Sequence, residues 1–486
     1  MTAAAPSSTL ASAPASAPPG SLADVAGRLE RLPLSWPIGK LILALSLGCF
    51  FENYFLQMTA FIAPGMIQSG VYVSKAAGFF DTHSIGFFIL SGFAGMLVGS
   101  SLFGFFADRF GRRPMFVWSM LWYSATTAMM ALQDDAIGMN FWRFLSSIGL
   151  GLELVVVNTY VTELVASRIR GRAVAIYQVI ALSAVPLSAF VAFQLMPIAP
   201  WGIPGWRWVM WLGVLCVVLI WWLRRRLPES PRWLAVMGRH AEADAVVAQI
   251  ERDVVAHSGK PLAPVVTMVS DQASVTVSKD VQEAGSYADL FRAPYRRRTC
   301  MFIIQQLFMP IAFYGFAAWV PTLLIAKGIA VTQSLFYAFL IALAQPLSPF
   351  IMLLFADRFD RKWQIAFGGF ASMILILGFA LQTNPVLVVL FGIAVTFSKT
   401  IITTAVACYM PECYPTHIRG RGHGLVYGVS RVMAALSGPI IAFTLAGYGI
   451  LGVSTLIGVC FAVVAGITML LGPRVHGRLL EQINPS

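Results

Sequence analysis

The chain has 486 residues, 58% hydrophobic and 12% charged, with 34 Lys and Arg against 22 Asp and Glu for a net charge of +12. A mean hydropathy of +0.74 is too apolar for a water-soluble domain of this length. The six cysteines lie in or beside apolar stretches without zinc or disulfide spacing. No nucleophile, base and orienting group stand together, and there is no phosphate loop, so the sequence argues against an enzyme and calls for no metal or cofactor.

Taken from the N-terminus, residues 1–39 read as a disordered cytoplasmic tail whose first part is rich in Ala, Ser and Pro. Apolar stretches near the ~20 residues that cross a bilayer follow at 41–62, 85–106, 115–132, 141–163, 174–196 and 207–223, which places a first six-helix bundle at 40–223. Residues 224–298 form a cytoplasmic central loop, with one or two short helices between about Arg232 and Val255 and an aperiodic part from His257 to Gly285. Further stretches at 301–323, 333–355, 364–381, 386–409, 424–446 and 449–471 predict a second bundle at 299–472, ahead of a cytoplasmic tail at 473–486. The expected fold is an all-α integral membrane protein, because apolar runs of this length satisfy their backbone amides in lipid only as helices.

Charges fall at the ends of these stretches. Arg109, Arg112 and Arg113 follow the second, Arg168, Arg170 and Arg172 the fourth, Arg358, Arg361 and Lys362 the eighth, and Arg419 and Arg421 the tenth, whereas the opposite loops hold Lys75 and Lys327. The positive-inside rule then places both termini in the cytoplasm of a multi-pass protein of the plasma membrane, the inner membrane of a bacterium. The same rule accounts for the net charge without nucleic acid as a partner.

The charge motif occurs twice. Ala107-Asp108-Arg109-Phe110-Gly111-Arg112-Arg113 returns as Ala356-Asp357-Arg358-Phe359-Asp360-Arg361-Lys362, and Glu163 with Arg170 and Arg172 returns as Glu412 with Arg419 and Arg421; 357 − 108 and 412 − 163 both give 249. The halves are copies, which points to a carrier of two bundles with its cargo between them. Asp108, Glu163, Asp357 and Glu412 set against Arg109, Arg112, Arg170, Arg172, Arg358, Arg361, Arg419 and Arg421 form a candidate cytoplasmic gate, because guanidinium groups clamp carboxylates through two parallel donors.

These motifs, together with Pro228-Glu229-Ser230-Pro231-Arg232-Trp233-Leu234, resemble the major facilitator superfamily over about residues 40–472. More narrowly, Gly149-Leu150-Gly151-Leu152-Glu153, Gly205-Trp206-Arg207-Trp208 and Arg431 resemble the branch that holds sugar porters, organic-ion transporters and bacterial nicotinate transporters. The resemblance implies twelve transmembrane helices in two pseudo-symmetric six-helix bundles with a central cavity. It also implies a metabolite–proton symporter working by alternating access, with the gate contacts holding the outward-open state.

Four charges lie inside the apolar stretches: Glu52, Glu153, Lys399 and Arg431. An ionised side chain at the bilayer centre costs about 2.5–3.5 kcal/mol on insertion scales, so these should face a wet cavity. The repeat offset pairs them with Met301, Ile402, Leu150 and Leu182, so the scaffold is shared but the buried charges are not. Glu52 and Glu153 are the proton-coupling candidates, since a carboxylate in a low-dielectric cavity gains proton affinity. Glu52 resembles the relatives' acid in the first span, with Asn53 where they often carry Gly, and relatives place Glu153 where it holds neighbouring helices together.

Arg431 and Tyr427, four apart on one helix face, can clamp a carboxylate and stack on a planar ring. Lys399 and Thr403 share a polar stripe, Gln305, Gln306 and Gln345 are amides in apolar surroundings, and Asn53, Tyr54 and Tyr314 complete the substrate-binding candidates; span-seven glutamines also occur in the sugar porters this chain resembles. The expected function is proton-coupled uptake of a small organic anion, nicotinate or a similar aromatic monocarboxylate, by a monomer whose partners are its small-molecule substrate, protons and lipid. A sugar or polyol symporter and a substrate-binding nutrient sensor are the alternatives.

Overall fold

The computed structural model describes residues 18–473, apart from 34, 74–76, 103–105, 107–108, 225–226, 266–286, 294, 356–358 and 415. Helices occupy each apolar stretch. In the first half these are α2 (Trp36–Gln68), α3 (Ile85–Leu102), α4 (Arg112–Ala131), α5 (Ala136–Leu164), α6 (Ser167–Leu182), α7 (Ala184–Leu195) and α8 (Gly205–Arg224), preceded by a short α1 (Leu22–Glu30). The central loop contributes α9 (Pro231–Val236) and α10 (His240–Ser258). The second half holds α11 (Tyr295–Ala317), α12 (Val320–Ala326), α13 (Val331–Ala342), α14 (Ala344–Phe355), α15 (Arg361–Leu381), α16 (Pro385–Glu412) and α17 (Thr416–Leu471). Among the described residues, seven helical stretches are by length and composition sufficient to cross a membrane.

Local sequence explains the breaks. Gly449 takes φ 63°, a left-handed conformation that costs glycine nothing, and splits α17 into the last two expected spans. Pro186 and Pro346 each sit three residues after the breaks at Ser183 and Leu343, where a missing N–H interrupts the helical ladder. Asp135 caps α5 by accepting from the Gly138 N–H at 2.8 Å, and Asn384 caps α16 by accepting from Val386 at 2.9 Å.

The two bundles use the same device between their third and fourth spans: Thr127 and Ser146 hydroxyls meet at 2.8 Å between α4 and α5, and Ser372 donates to Ser398 at 2.8 Å between α15 and α16. Small hydroxyl residues let helices approach in lipid while satisfying each other. The bundles themselves pack closely at the face away from the basic loops. A Cβ on Gly86 would lie 2.7 Å from the Gly438 carbonyl oxygen, so α3 and α17 touch backbone to backbone. Phe190 and Phe193 of α7 pack on Phe339 and Phe336 of α13 with ring centroids 5.5 and 5.4 Å apart. That face is closed.

Leu22–Glu30, inside the stretch expected to be disordered, is helical. Val25, Leu29 and Leu32 repeat at helical spacing and are buried in one cluster with Ala243, Val247, Ile250 and Val254 of α10. Around this seam Arg28 reaches Glu251 at 2.8 Å and also pairs with Asp244, and Arg31 reaches Glu251 at 2.6 Å. Burial pushes the Glu251 carboxyl up, but the hydrogen bonds from Arg28 and Arg31 outweigh it and hold Glu251 below its ordinary value.

Candidate functional site

Two polar centres lie at mid-depth, one in each bundle. In the first, Glu52 on α2 is 2% exposed and Glu153 on α5 is fully buried. Cys49, one turn before Glu52, donates through its thiol to Glu52 Oε2 at 3.5 Å and lies 2.7 Å from the Tyr177 hydroxyl of α6. The Cys49 carbonyl accepts from Asn53 Nδ2 at 2.8 Å, so Asn53 is turned back on its own helix. Three helices thus converge on the two acids. On the next turn of α2, buried Arg143 of α5 donates to the Phe55 carbonyl at 3.2 Å and to Thr59 Oγ1 at 2.5 Å, with its guanidinium over the Phe88 ring at 5.4 Å.

In the second bundle Lys399 is 1% exposed. Its ammonium sits over the Phe313 ring at 4.4 Å and the Phe316 ring at 5.8 Å, and among the described residues no carboxylate lies within ion-pair distance of it. A buried ammonium whose neighbours are aromatic faces is partly stabilised by the ring quadrupoles and still lacks an anion. Lys399, Thr396 and Gln345 line a cavity between the bundles whose first-bundle wall is Gln57, Phe61 and Val185. The cavity is about 20 Å³, room for one water. Any organic substrate therefore requires the bundles to part here.

Arg431 on α17 comes within electrostatic reach of Glu52 in the first of these centres. Its guanidinium stacks on the Tyr427 ring at 4.6 Å and bonds the Tyr427 hydroxyl, and it acts electrostatically on Tyr314 of α11 and on Glu52 across the interface. Tyr314 in turn packs on Phe93 of α3 with centroids 4.4 Å apart, so this part of the interface is built from both halves.

Other candidates are placed elsewhere. Tyr54 is buried with its hydroxyl donating to the Val209 carbonyl at 2.8 Å, inside the first bundle rather than at the cavity. Gln305 is fully buried and its amide donates to Thr468 Oγ1 on α17, within the second bundle; Gln306 beside it is half-buried. Thr403 donates back to the Lys399 carbonyl at 2.8 Å. Buried hydroxyl and amide groups far from water take the nearest internal acceptor, which removes Tyr54 and Gln305 from the cavity wall.

Of the gate, Asp108, Asp357 and Arg358 fall outside the described residues, as do the side chains of Arg170, Arg172 and Arg419. Arg112 pairs with Glu163 at 3.2 Å, but this joins the start of α4 to the end of α5 in one bundle and does not latch two. Arg109 is exposed over Phe110 at 5.6 Å, Arg361 and Glu412 are half-buried, and Arg421 lies over the Tyr287 ring at 5.9 Å. Sequence reading left Glu229 without a role. Its carboxylate accepts from the backbone N–H groups of Arg112 at 3.0 Å, Arg113 at 3.2 Å and Ser230 at 2.9 Å, tying the central loop to the positive end of α4. Burial pushes its carboxyl up against those donors. Cys49 and Tyr177 were also missed: the i, i+3 spacing of Cys49 and Glu52 was a usable signal, while nothing in sequence brings Tyr177 to them.

The family model for sugar (and other) transporters matches residues 42–486. The inner membrane metabolite transport protein YdjE of Escherichia coli is 28% identical over 95% of this chain and 98% of its own length. The niacin transporter NiaP of Acinetobacter baylyi is 27% identical over 95% and 99%. A D-xylose–proton symporter structure superposes with a TM-score of 0.71 at 16% identity, covering 91% of this chain and 99% of that one. With a match over nearly its whole length and the same helical architecture, the chain belongs to the sugar (and other) transporter family of the major facilitator superfamily and is a membrane transporter, not an enzyme.

Proposed function

We propose that this transporter couples uptake of a small organic anion, with nicotinate or a similar aromatic monocarboxylate as the leading substrate, to protons, with its basic face in the cytoplasm of a bacterial inner membrane. The observation that carries the reading is Lys399: a buried ammonium between the bundles, flanked by the faces of Phe313 and Phe316, with no carboxylate at ion-pair distance among the described residues. A carboxylate arriving in the cavity neutralises that charge, and an attached planar ring has two aromatic neighbours to pack on. Arg431 with Tyr427 offers a second cation on the same interface. Glu52 and Glu153 supply proton-binding groups in the opposite bundle, so substrate and proton have separate homes whose occupancies bias one rigid-body equilibrium.

Likeness to a niacin transporter supports the anion reading, and the sequestration of Gln305 by Thr468 weighs against a sugar site built on span-seven amides. The test is uptake into proteoliposomes under an acid-outside pH gradient, with labelled nicotinate, benzoate, glucose and a quaternary amine compared. Gradient-dependent accumulation of the acids is expected; accumulation of glucose alone overturns the proposal.

A further inference from the structure

Cys49 and Tyr177 lie outside the candidate gate, yet they join Glu52 to α6. The thiol sulfur stands 3.5 Å from Glu52 Oε2 on one side and 2.7 Å from the Tyr177 hydroxyl on the other, and all three side chains are at most 4% exposed. A thiol and a phenol each donate and accept, so the row can point either way: phenol to thiol to carboxylate, or carboxylic acid to thiol to phenol. Glu153 acts electrostatically on both Cys49 and Tyr177.

Depth gives the row a direction. Cys49 precedes Glu52 on a helix that starts at the basic face. Tyr177 and Glu153 lie ten and eleven residues from the basic-face ends of α6 and α5, which at ~1.5 Å per residue puts both roughly 15 Å in. The other charged or titratable groups facing Glu52 lie elsewhere: Arg143 holds Phe55 and Thr59 on the far side, and Arg431 and Tyr314 approach from the second bundle.

We propose that Cys49 and Tyr177 are positioning residues that form a proton relay, carrying the Glu52 proton across to the phenol of α6 and so toward the basic face. In one passage Glu52 Oε2 gives its proton to Cys49 Sγ, the thiol gives its own to Tyr177 Oη, and the phenol gives its own to a water molecule admitted from the basic face. One proton has then moved from the acid to water, thiol and phenol are again neutral, and no oxidant or reductant is involved. The row also fixes the Glu52 rotamer, so the acid stays aligned with its exit while the bundles move.

This inference rests on the proton-coupled reading, and the test separates the two. Proteoliposomes carrying wild type, Tyr177→Phe, Cys49→Ala and Cys49→Ser are assayed for pH-gradient-driven nicotinate uptake across pH, and for nicotinate counterflow without a gradient. The relay predicts that Tyr177→Phe and Cys49→Ala slow gradient-driven uptake by about a hundredfold, the low end of what a placed proton-transfer group contributes, with a shifted pH profile and counterflow near wild type. Cys49→Ser, which keeps a donor and acceptor, recovers much of the loss. A coupled wild type with equally coupled Tyr177→Phe and Cys49→Ala overturns the relay alone, as does an equal loss of counterflow and uptake, which assigns the pair to packing. A wild type indifferent to the pH gradient overturns the coupling reading and the relay together.

Discussion

The two bundles share a scaffold and divide their chemistry. Both join their third and fourth spans through a pair of hydroxyls, and both carry the charge motif at an offset of 249 residues, 357 − 108. Yet the first buries two acids, Glu52 beside the Cys49 thiol and Glu153, whereas the second buries Lys399 against the Phe313 and Phe316 rings. Duplication supplies the shared scaffold, and the buried charges lie where the copies differ. Buried acids are suited to hold and release protons; a buried cation set against ring faces is suited to meet a mobile anion.

The strongest way to break this contrast is to remove the cation. Lys399→Met should weaken nicotinate binding by about a hundredfold, as expected for losing a charged hydrogen bond of up to about 3 kcal/mol. It should also raise the melting temperature in detergent, because a desolvated charge is replaced by an apolar chain of similar length. Loss of stability together with binding would mark Lys399 as a structural residue.

Removing the acid should act differently. Glu52→Gln is expected to abolish accumulation against a gradient while leaving counterflow within a few fold of wild type; undiminished gradient-driven uptake would take Glu52 out of coupling. Arg431→Ala should weaken binding less than the Lys399 change, because Arg431 already shares its charge with Tyr427 and Tyr314. Binding unaffected by Arg431→Ala would confine the anion site to Lys399.

A smaller effect is expected at the closed face. Gly86→Val places a side chain where the Gly438 carbonyl lies 2.7 Å from the added Cβ, so the bundles should rest more open on that side. Increased thiol labelling of a cysteine introduced at Ala442 would report it, and unchanged labelling would show that α3 and α17 part at no cost.

The smallest concerns α1. Glu251 is held below its ordinary value of 4.5, so its contribution to docking is fully present above about pH 4.5 and is lost as pH falls through the lowered value. Amide exchange in Val25–Leu29 should accelerate only under such acid, and Arg28→Ala should accelerate it at neutral pH. Exchange insensitive to both would leave the apolar seam as the sole attachment.

Hydropathy was enough to read the helices, because lipid leaves a long apolar run no other backbone solution. Repeat arithmetic was enough to find the asymmetry of Glu52, Glu153, Lys399 and Arg431. What sequence could not give was partnership. Tyr54 and Gln305 look identical in sequence whether they face a cavity or a neighbouring helix, and the structure gives them Val209 and Thr468. Arg112 and Glu163 repeat like a latch between bundles, but antiparallel neighbours α4 and α5 bring them together first. The tail helix was hidden because its short seam, Val25, Leu29 and Leu32, has meaning only against α10.

The division of labour is tested most directly by equilibrium binding of labelled nicotinate to purified wild type, Lys399→Gln and Glu52→Gln side by side. Binding lost in Lys399→Gln and kept in Glu52→Gln is the predicted result; binding kept in Lys399→Gln and lost in Glu52→Gln would contradict it.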